Sequence, residues 1–259
     1  MDDNSTKRPL DLTGRTVLVT GGNGGIGLGM AHACAQHGAR IVLWGRNSTK
    51  NSTALASLSE AGIDALALVC DVADESAVEA AFAESVEWAG RIDTVFANAG
   101  VGGPGVPFTE MTLDQWRQVM AVNLDGVFIT FRAAARHMIE HGGGALVAIS
   151  STSAIHGAAG NEAYGSSKTA LLGLTRALAV AMARHNIRVN ALLPGWVRTE
   201  MTDAGYTYEK FRDNTTKRTP LRRWAEPADM GPAAVFLADP DAMYHTGQHV
   251  TVDGGYTIF

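Results

Sequence analysis

Three features of the sequence predict an α/β fold, a doubly wound parallel sheet in a single domain. Short apolar, β-branched runs alternate regularly with segments of helical length, the pattern of a parallel sheet covered on both faces. The first such run, 16–20, passes directly into Gly21-Gly22-Asn23-Gly24-Gly25-Ile26-Gly27 and then into an apolar segment of helical length, 26–36. The 259 residues contain no linker-like stretch and no internal repeat beyond this alternation, so 1–259 reads as one domain.

Composition sets the outer limits. Hydrophobic residues make up 46% and charged residues 18%, enough for a sizeable core and too apolar for a disordered chain. The net charge of −5 gives no basic surplus for nucleic acid. The two cysteines, Cys34 and Cys70, lie in apolar surroundings without metal-ligand spacing. They read as small core residues in a reducing compartment, and no metal is expected. Residues 1–9 are polar, lack the apolar segment of a signal peptide and are expected to be disordered. No uninterrupted apolar run reaches the roughly 20 residues of a membrane span. The expected location is the cytoplasm, with neither membrane nor nucleic acid as partner.

Strand, glycine turn and helix in that order make a phosphate-binding site. Glycines let the backbone approach a pyrophosphate, and a helix N-terminus offers free N–H groups and a positive dipole end. A tight turn without a ligand is the bland alternative. The second strand, 40–44, leads into Trp44-Gly45-Arg46-Asn47-Ser48. A dinucleotide fold that prefers NAD usually carries an acid here, about 20 residues past the glycines, on the ribose 2′-hydroxyl. No carboxylate occurs before Glu60, and Arg46 offers a planar cationic fork suited to a phosphate. Asn47 and Ser48 can add hydrogen bonds. The reading favours NADP(H), with NAD(H) as the alternative.

A modest amphipathic helix, 48–61, precedes the third strand, 65–69, which ends at Cys70-Asp71. Open parallel sheets bind ligands beyond the carboxyl ends of their strands. Asp71 is therefore placed to accept from an adenine amino group, or merely to cap the helix 74–88. The fourth strand, 94–97, delivers Asn98-Ala99-Gly100, a turn of small residues where a cofactor could pass. After a Gly/Pro loop, Thr112-Leu113-Asp114-Gln115 matches a capping box and opens a helix to about 141. Asn123 sits in its apolar stretch and needs a partner or a water. It marks either a local kink or a water site. The fifth strand, 145–149, brings Ser150-Ser151 to its carboxyl end. The sixth, 188–193, ends at Pro194-Gly195-Trp196-Val197-Arg198-Thr199. The stretch 200–220 mixes aromatics and charges without a period and reads as a mobile lid insertion. Pro227 suits the first position of a helix to 237, and 249–252 is the last strand.

Between the fifth and sixth strands, Tyr164 and Lys168 open a long apolar helix, 163–185. Residues at i and i+4 share a helix face, so phenol and ammonium sit side by side. A phenol pKa of about 10 is too high for a proton acceptor near neutral pH. An ammonium about 5 Å away, at an effective dielectric of about 20, stabilises the phenolate by roughly 3 kcal/mol, about two pKa units. A packed tyrosine and a solvated lysine are the alternative.

With these residues assembled, the chain resembles the short-chain dehydrogenase/reductase family, of Rossmann fold, over essentially its whole length. Thr20-Gly21, three residues and Gly25-Ile26-Gly27 look like the family's TGxxxGxG, with Asn23 inside the turn. Asp71, with Val72 beside it, matches the adenine-contacting acid, and Asn98-Ala99-Gly100 the NAG turn. Asn123, Ser151, Tyr164 and Lys168 match the catalytic tetrad, Ser151 standing thirteen residues before Tyr164. Pro194-Gly195, Val197 and Thr199 resemble the stretch that contacts the nicotinamide carboxamide. Two departures are small. The turn reads Ala97-Asn98 where Asn-Asn is common, and Arg46 lacks a basic partner in the glycine loop.

The resemblance implies hydride transfer between a nicotinamide cofactor and a secondary alcohol or ketone. Tyr164 would be the acid/base. Lys168 would lower its pKa and bond the nicotinamide ribose. Ser151 would bond the substrate oxygen, and Asn123 would hold a water beside Lys168. Segments 222–227 and 246–248 look alike in sugar dehydrogenases and acyl-carrier ketoreductases, so a 3-oxoacyl-carrier-protein reductase is an alternative. A non-catalytic dinucleotide-binding regulator is a further one, disfavoured by the intact Ser151/Tyr164/Lys168 set. Candidate substrate residues are Ser151, His156, Asn161, Trp196, Met201 and Tyr206. His156 and Asn161 point mildly to a sugar or polyol. The helices 112–141 and 163–185 carry apolar residues on more sides than one stripe requires. They are expected to pair across a two-fold axis, and the apolar tail 256–259 to make a second contact, giving a homotetramer.

Overall fold

The computed structural model describes residues 10–242 and 244–259, and the disorder expected for 1–9 lies outside them. All seven strands are parallel, in the order β3-β2-β1-β4-β5-β6-β7. They span β1 Thr16–Thr20, β2 Arg40–Gly45, β3 Ala65–Val69, β4 Thr94–Ala97, β5 Gly144–Ile149, β6 Ile187–Pro194 and β7 His249–Val252. All seven runs start where the sequence places them or within one residue of it, because strands buried on both faces read as continuous apolar runs. Successive residues of one strand feed opposite cores. Leu18 of β1 joins a cluster with Trp44, Val95, Phe131 and Leu171. Its neighbours Val17 and Val19 join one with Met30, Leu43, Phe96 and Val235.

The helices cover these two faces. On one lie α1 Gly25–Gln36, α2 Ser48–Glu60 and α9 Gly231–Ala238; on the other lie α3 Glu75–Ala89, α5 Gly126–Glu140 and α6 Glu162–Met182. The predicted helix 112–141 is interrupted. Thr112 closes the expected capping box with Gln115 on α4, Leu113–Met120, and a π-helical turn, Ala121–Asp125, separates α4 from α5. Asn123 lies at the middle of this π-helical turn. No helix among the described residues is long and apolar enough to cross a membrane.

The stretch 200–220 departs from the sequence reading by its order. It forms a 3-10 turn, Glu200–Thr202, and two short helices, α7 Asp203–Thr207 and α8 Glu209–Arg218. The break between them at Tyr208 explains why no single period was visible. The excursion is closed at its base by a parallel bridge, Val197 to Ala225. Aromatic rings dock it. Trp196 lies 5.0 Å from Phe211 and 5.1 Å from Trp224, and Tyr206 lies 5.3 Å from Trp224, centroid to centroid. The Trp224 indole N–H donates to Thr215 Oγ1 at 2.9 Å.

A buried histidine couples the core to pH. His137 of α5 stacks on His141, centroids 4.0 Å apart, and its Nε2 accepts the Ile92 backbone N–H at 3.2 Å. Burial, then the charges of His141 and Arg91, hold its pKa below the ordinary value of 6.5. The folded state thus binds the proton less readily than the unfolded chain. Stability is fully present above the unfolded pKa and is lost as pH falls through it toward the folded value. Urea unfolding at pH 7.5 and at pH 5.5 is expected to show a loss of stability on the acid side. His137→Gln, which keeps an acceptor without a titrating group, should flatten that loss. An unchanged slope in the variant would remove His137 from the account.

Candidate active site

The strand order reverses between β1 and β4, and there the carboxyl ends diverge into a crevice. A cavity of about 440 Å³ fills it. Its floor is the turn between β1 and α1. Gly21 and Gly25 have φ of +61° and +49°, conformations that favour glycine. A Cβ at Gly25 would come within 3.1 Å of Thr199 across the groove. No side chain caps α1 at Gly24, and its first turn carries no acid. The free N–H groups of a twelve-residue helix therefore begin at residues that line the cavity. That cradle fits the pyrophosphate of a dinucleotide.

Of the predicted cofactor residues, Gly21, Asn23, Gly25, Ile26, Arg46, Asn47, Asp71, Val72, Asn98, Ala99, Gly100, Tyr164, Lys168, Pro194, Gly195, Val197 and Thr199 all line this one cavity. Gly27 does not. It is buried beneath the turn, where a Cβ would meet the Gly21 carbonyl at 2.4 Å, so its role is close packing of α1. Asn98 holds the turn in place: its Nδ2 donates to the Thr20 and Gly21 carbonyls at 2.9 and 3.0 Å. Asn47 caps α2, its Oδ1 accepting from the Lys50 backbone at 3.0 Å. Arg46 lies 3.9 Å from Asp71.

The catalytic candidates converge around α6. The Ser151 hydroxyl stands beside the Tyr164 phenol, close enough to favour its ionised form. Ser151 Oγ accepts from the Ser153 backbone at 3.1 Å, which fixes its rotamer. Lys168 is buried, its Nζ donating to the Ile149 carbonyl at 2.8 Å and lying 5.6 Å from the Tyr164 ring centroid. Asn123 is fully buried and does not line the cavity. Its Nδ2 donates to the Val101 carbonyl (2.9 Å) and Ser167 Oγ (3.1 Å), and its Oδ1 accepts from Val101 N (2.8 Å). Its side chain pins the loop after β4 to α6.

Electrostatics differ from the sequence argument. The Tyr164 phenol is pushed above its ordinary value of 10 by burial, opposed only by the Ser151 hydroxyl. Burial lowers the Lys168 ammonium to about 8. Desolvation outweighs the mutual stabilisation expected for a half-solvated pair, most fully at Lys168, which is buried while Tyr164 is half-buried. In this state the phenol is a proton donor.

Among the substrate candidates, Ser151 and Met201 line the cavity and four residues do not. Asn161 Oδ1 accepts from Gly103 N at 2.7 Å, tying the Gly/Pro loop to α6. Trp196 is consumed by the aromatic cluster. Tyr206 faces away, against Trp224 and under Arg198, 4.4 Å from its centroid. His156 packs on Tyr256, 5.6 Å between centroids. Sequence reasoning missed Gly24, Lys50, Val101, Val122, Glu200 and Thr202, which also line the cavity. Lys50 carried a signal, a second cation four residues after Arg46. Glu200 and Thr202 carried none, since they were assigned to the insertion.

Fold and site together define a dinucleotide-dependent oxidoreductase, with Ser151, Tyr164 and Lys168 as its candidate catalytic groups. A family model described as enoyl-(acyl carrier protein) reductase matches residues 21–257. The chain is 37% identical to gluconate 5-dehydrogenase of Gluconobacter oxydans over 95% of its own length and 96% of that protein's. It is 38% identical to L-rhamnose 1-dehydrogenase (NAD(P)+) of Azotobacter vinelandii, covering 95% and 98%. The crystal structure of a gluconate 5-dehydrogenase from Burkholderia cenocepacia in complex with NADP and tartrate superposes with a TM-score of 0.92 at 37% identity, covering 97% and 98%. The chain belongs to the short-chain dehydrogenase/reductase family, and it is an oxidoreductase acting on alcohol and ketone groups.

Replacing Tyr164 by Phe removes one hydroxyl from a well-packed site. Turnover should fall by about 10²–10⁴-fold, the size of a general acid/base contribution, with the fold intact. Wild-type alcohol oxidation, which needs the phenolate, should quicken toward alkaline pH, while ketone reduction slows. Steady-state kinetics across pH check both, and turnover in Tyr164→Phe above a tenth of wild type would sink the assignment.

Proposed function

We propose that the protein transfers a hydride between NADP(H) and a secondary alcohol or ketone of a sugar, sugar acid or polyol. The observation that carries the reading is a single cavity lined by both the Ser151–Tyr164 pair beside Lys168 and the cationic fork of Arg46. The fork follows β2 and Ser151 follows β5, three strands apart. At about 4.8 Å per strand that is about 14 Å, a separation suited to the two halves of a dinucleotide. The sugar and sugar-acid substrates in the relatives' names support the substrate class.

A bound nicotinamide dinucleotide would supply the hydride donor or acceptor. The chain's own groups do the rest. Ser151 donates a hydrogen bond to the substrate oxygen, where charge develops. Tyr164 Oη gives that oxygen a proton in reduction and takes it back in oxidation. Lys168, held by the Ile149 carbonyl, keeps positive charge next to the phenol and reaches the nicotinamide ribose. Asn123 keeps the Val101 loop against α6, so that substrate meets a preformed wall. Asp71 and Val72 receive the adenine, and Pro194, Gly195, Val197 and Thr199 the carboxamide end. Two free, buried cysteines support a reducing, cytoplasmic location.

A panel of aldonic acids, aldoses, polyols and a 3-oxoacyl thioester, assayed with both cofactors, tests this reading. The highest kcat/KM is expected for a polyhydroxylated substrate with NADP(H). Arg46→Ala should shift cofactor preference by about tenfold or more toward NAD, the worth of a charge-assisted hydrogen bond. A preference for the thioester would reassign the substrate, and equal losses for both cofactors would remove Arg46 from phosphate recognition.

The assembly is a homotetramer in this reading. Phe128 (48%) and Ile139 (42%) of α5 and Val180 (83%) of α6 are exposed apolar side chains on the helices expected to pair. In the tail, Tyr256 is buried within its own chain, leaving Ile258 (89%) and Phe259 (69%) for a second contact. Sedimentation at micromolar concentration should return a tetramer. A monomer would rule out the helix pairing, and a dimer would leave the tail without a role.

A further inference from the structure

The glycine turn carries no cation, so in the sequence Arg46 is the one cation offered to a 2′-phosphate there. A phosphate monoester carries about −1.5 to −2 charge near neutral pH and three acceptor oxygens, more than one guanidinium neutralises. The structure places a second cation on the same wall. Lys50, in the first turn of α2, lines the cavity with Arg46 and Asn47. The Asn47 cap, accepting from the Lys50 backbone at 3.0 Å, fixes the short turn that joins the two cations. An anion held there would also meet the uncapped N–H groups of that helix.

Each cation is engaged by an acid from a distant segment. Arg46 stands at a loose 3.9 Å from Asp71. Lys50 pairs with Glu200, from the 3-10 turn after β6, also on the cavity wall. The Glu200 side chain is 82% exposed and that of Lys50 47%. Exposed pairs contribute little to stability, so this contact is readily exchanged for one to a doubly charged phosphate.

We propose that Lys50 is a second 2′-phosphate ligand, held by Glu200 until the phosphate replaces it, and that it sets NADP over NAD together with Arg46. The inference rests on the reading of the cavity as a dinucleotide site. The competing role for the pair is a strap. It joins the segment after β2 to the turn after β6, across the groove, and would then retain both cofactors alike. The two roles predict opposite signs for the Glu200 variant, because a strap is weakened by losing the acid whereas a phosphate ligand is freed.

Titration of NADP+ and NAD+ into the full-length protein, followed by intrinsic fluorescence, separates them. Lys50→Met should lose about tenfold or more in NADP affinity with little change for NAD. Lys50→Arg should retain the NADP preference. Glu200→Gln should bind NADP more tightly, by a larger factor than NAD. Equal losses of both cofactors in Lys50→Met, or parallel weakening of both in Glu200→Gln, would overturn the proposal. Wild type that binds neither cofactor would instead overturn the dinucleotide reading, and the inference with it. Should Lys50→Met fail to fold, Lys50→Arg and Glu200→Gln still give the sign.

Discussion

Everything at the site depends on how β1 and β4 part company. Their carboxyl ends lead in different directions, and the gap would close or fray without a link. Thr20 and Asn98 make that link. Thr20 Oγ1 accepts the backbone N–H groups of Asn98 and Ala99, both at 3.0 Å, while the Asn98 amide returns to the carbonyls of Thr20 and Gly21. These groups are partly buried, so leaving them unpaired is costly and pairing them fixes the geometry. Gly27 lets α1 settle onto the same turn, since a side chain there would strike the Gly21 carbonyl and the Asn98 amide. One small network thus positions the helix N-terminus, the glycine floor and the strand that leads to Gly100.

The catalytic side chains are held from a second direction, by α6 against β5. Ser150 Oγ donates to the Lys168 carbonyl at 2.8 Å, and Lys168 Nζ donates back to the Ile149 carbonyl at 2.8 Å. Asn123, from the π turn, reaches Ser167 on the same helix. Phenol and ammonium are therefore carried on a helix rather than a loop, the phenol half-buried in the cavity wall and the ammonium buried behind it. Burial favours the neutral form of each and so moves their proton affinities apart: the phenol rises above its ordinary 10, and the ammonium falls to about 8.

The region beyond β6 obeys a different logic. It closes on itself through the Val197–Ala225 bridge and is filled by rings from Trp196, Tyr206, Phe211 and Trp224. Tyr256 from the tail adds a fifth ring, 6.3 Å from Trp196, and Arg218 stacks over it at 4.3 Å. The aromatics that looked like substrate contacts are the cement of this small layer. The layer in turn sets where Glu200, Met201 and Thr202 stand above the groove.

Periodicity and punctuation alone determined the parallel α/β fold, the glycine turn, the Tyr164–Lys168 helix face and the small-residue turn at Asn98. Each is a local pattern: an apolar run, a run of glycines, a spacing of four, a strand end. The chain order of those patterns was enough to bring most of the predicted cofactor residues to one cavity, because in a doubly wound sheet every carboxyl end opens on the same edge. What the tertiary structure decided were the matters of competition between distant groups. Asn161 could have met a substrate but meets Gly103. Trp196 could have lined a pocket but packs among rings, and the Tyr164 pKa is governed by burial that no spacing reveals. Lys50 and Glu200 are 150 residues apart, and only the fold places them face to face. Local sequence dictates which conformation a segment adopts; which of several possible partners a polar or aromatic side chain takes depends on what the rest of the chain brings within reach and how much water it leaves.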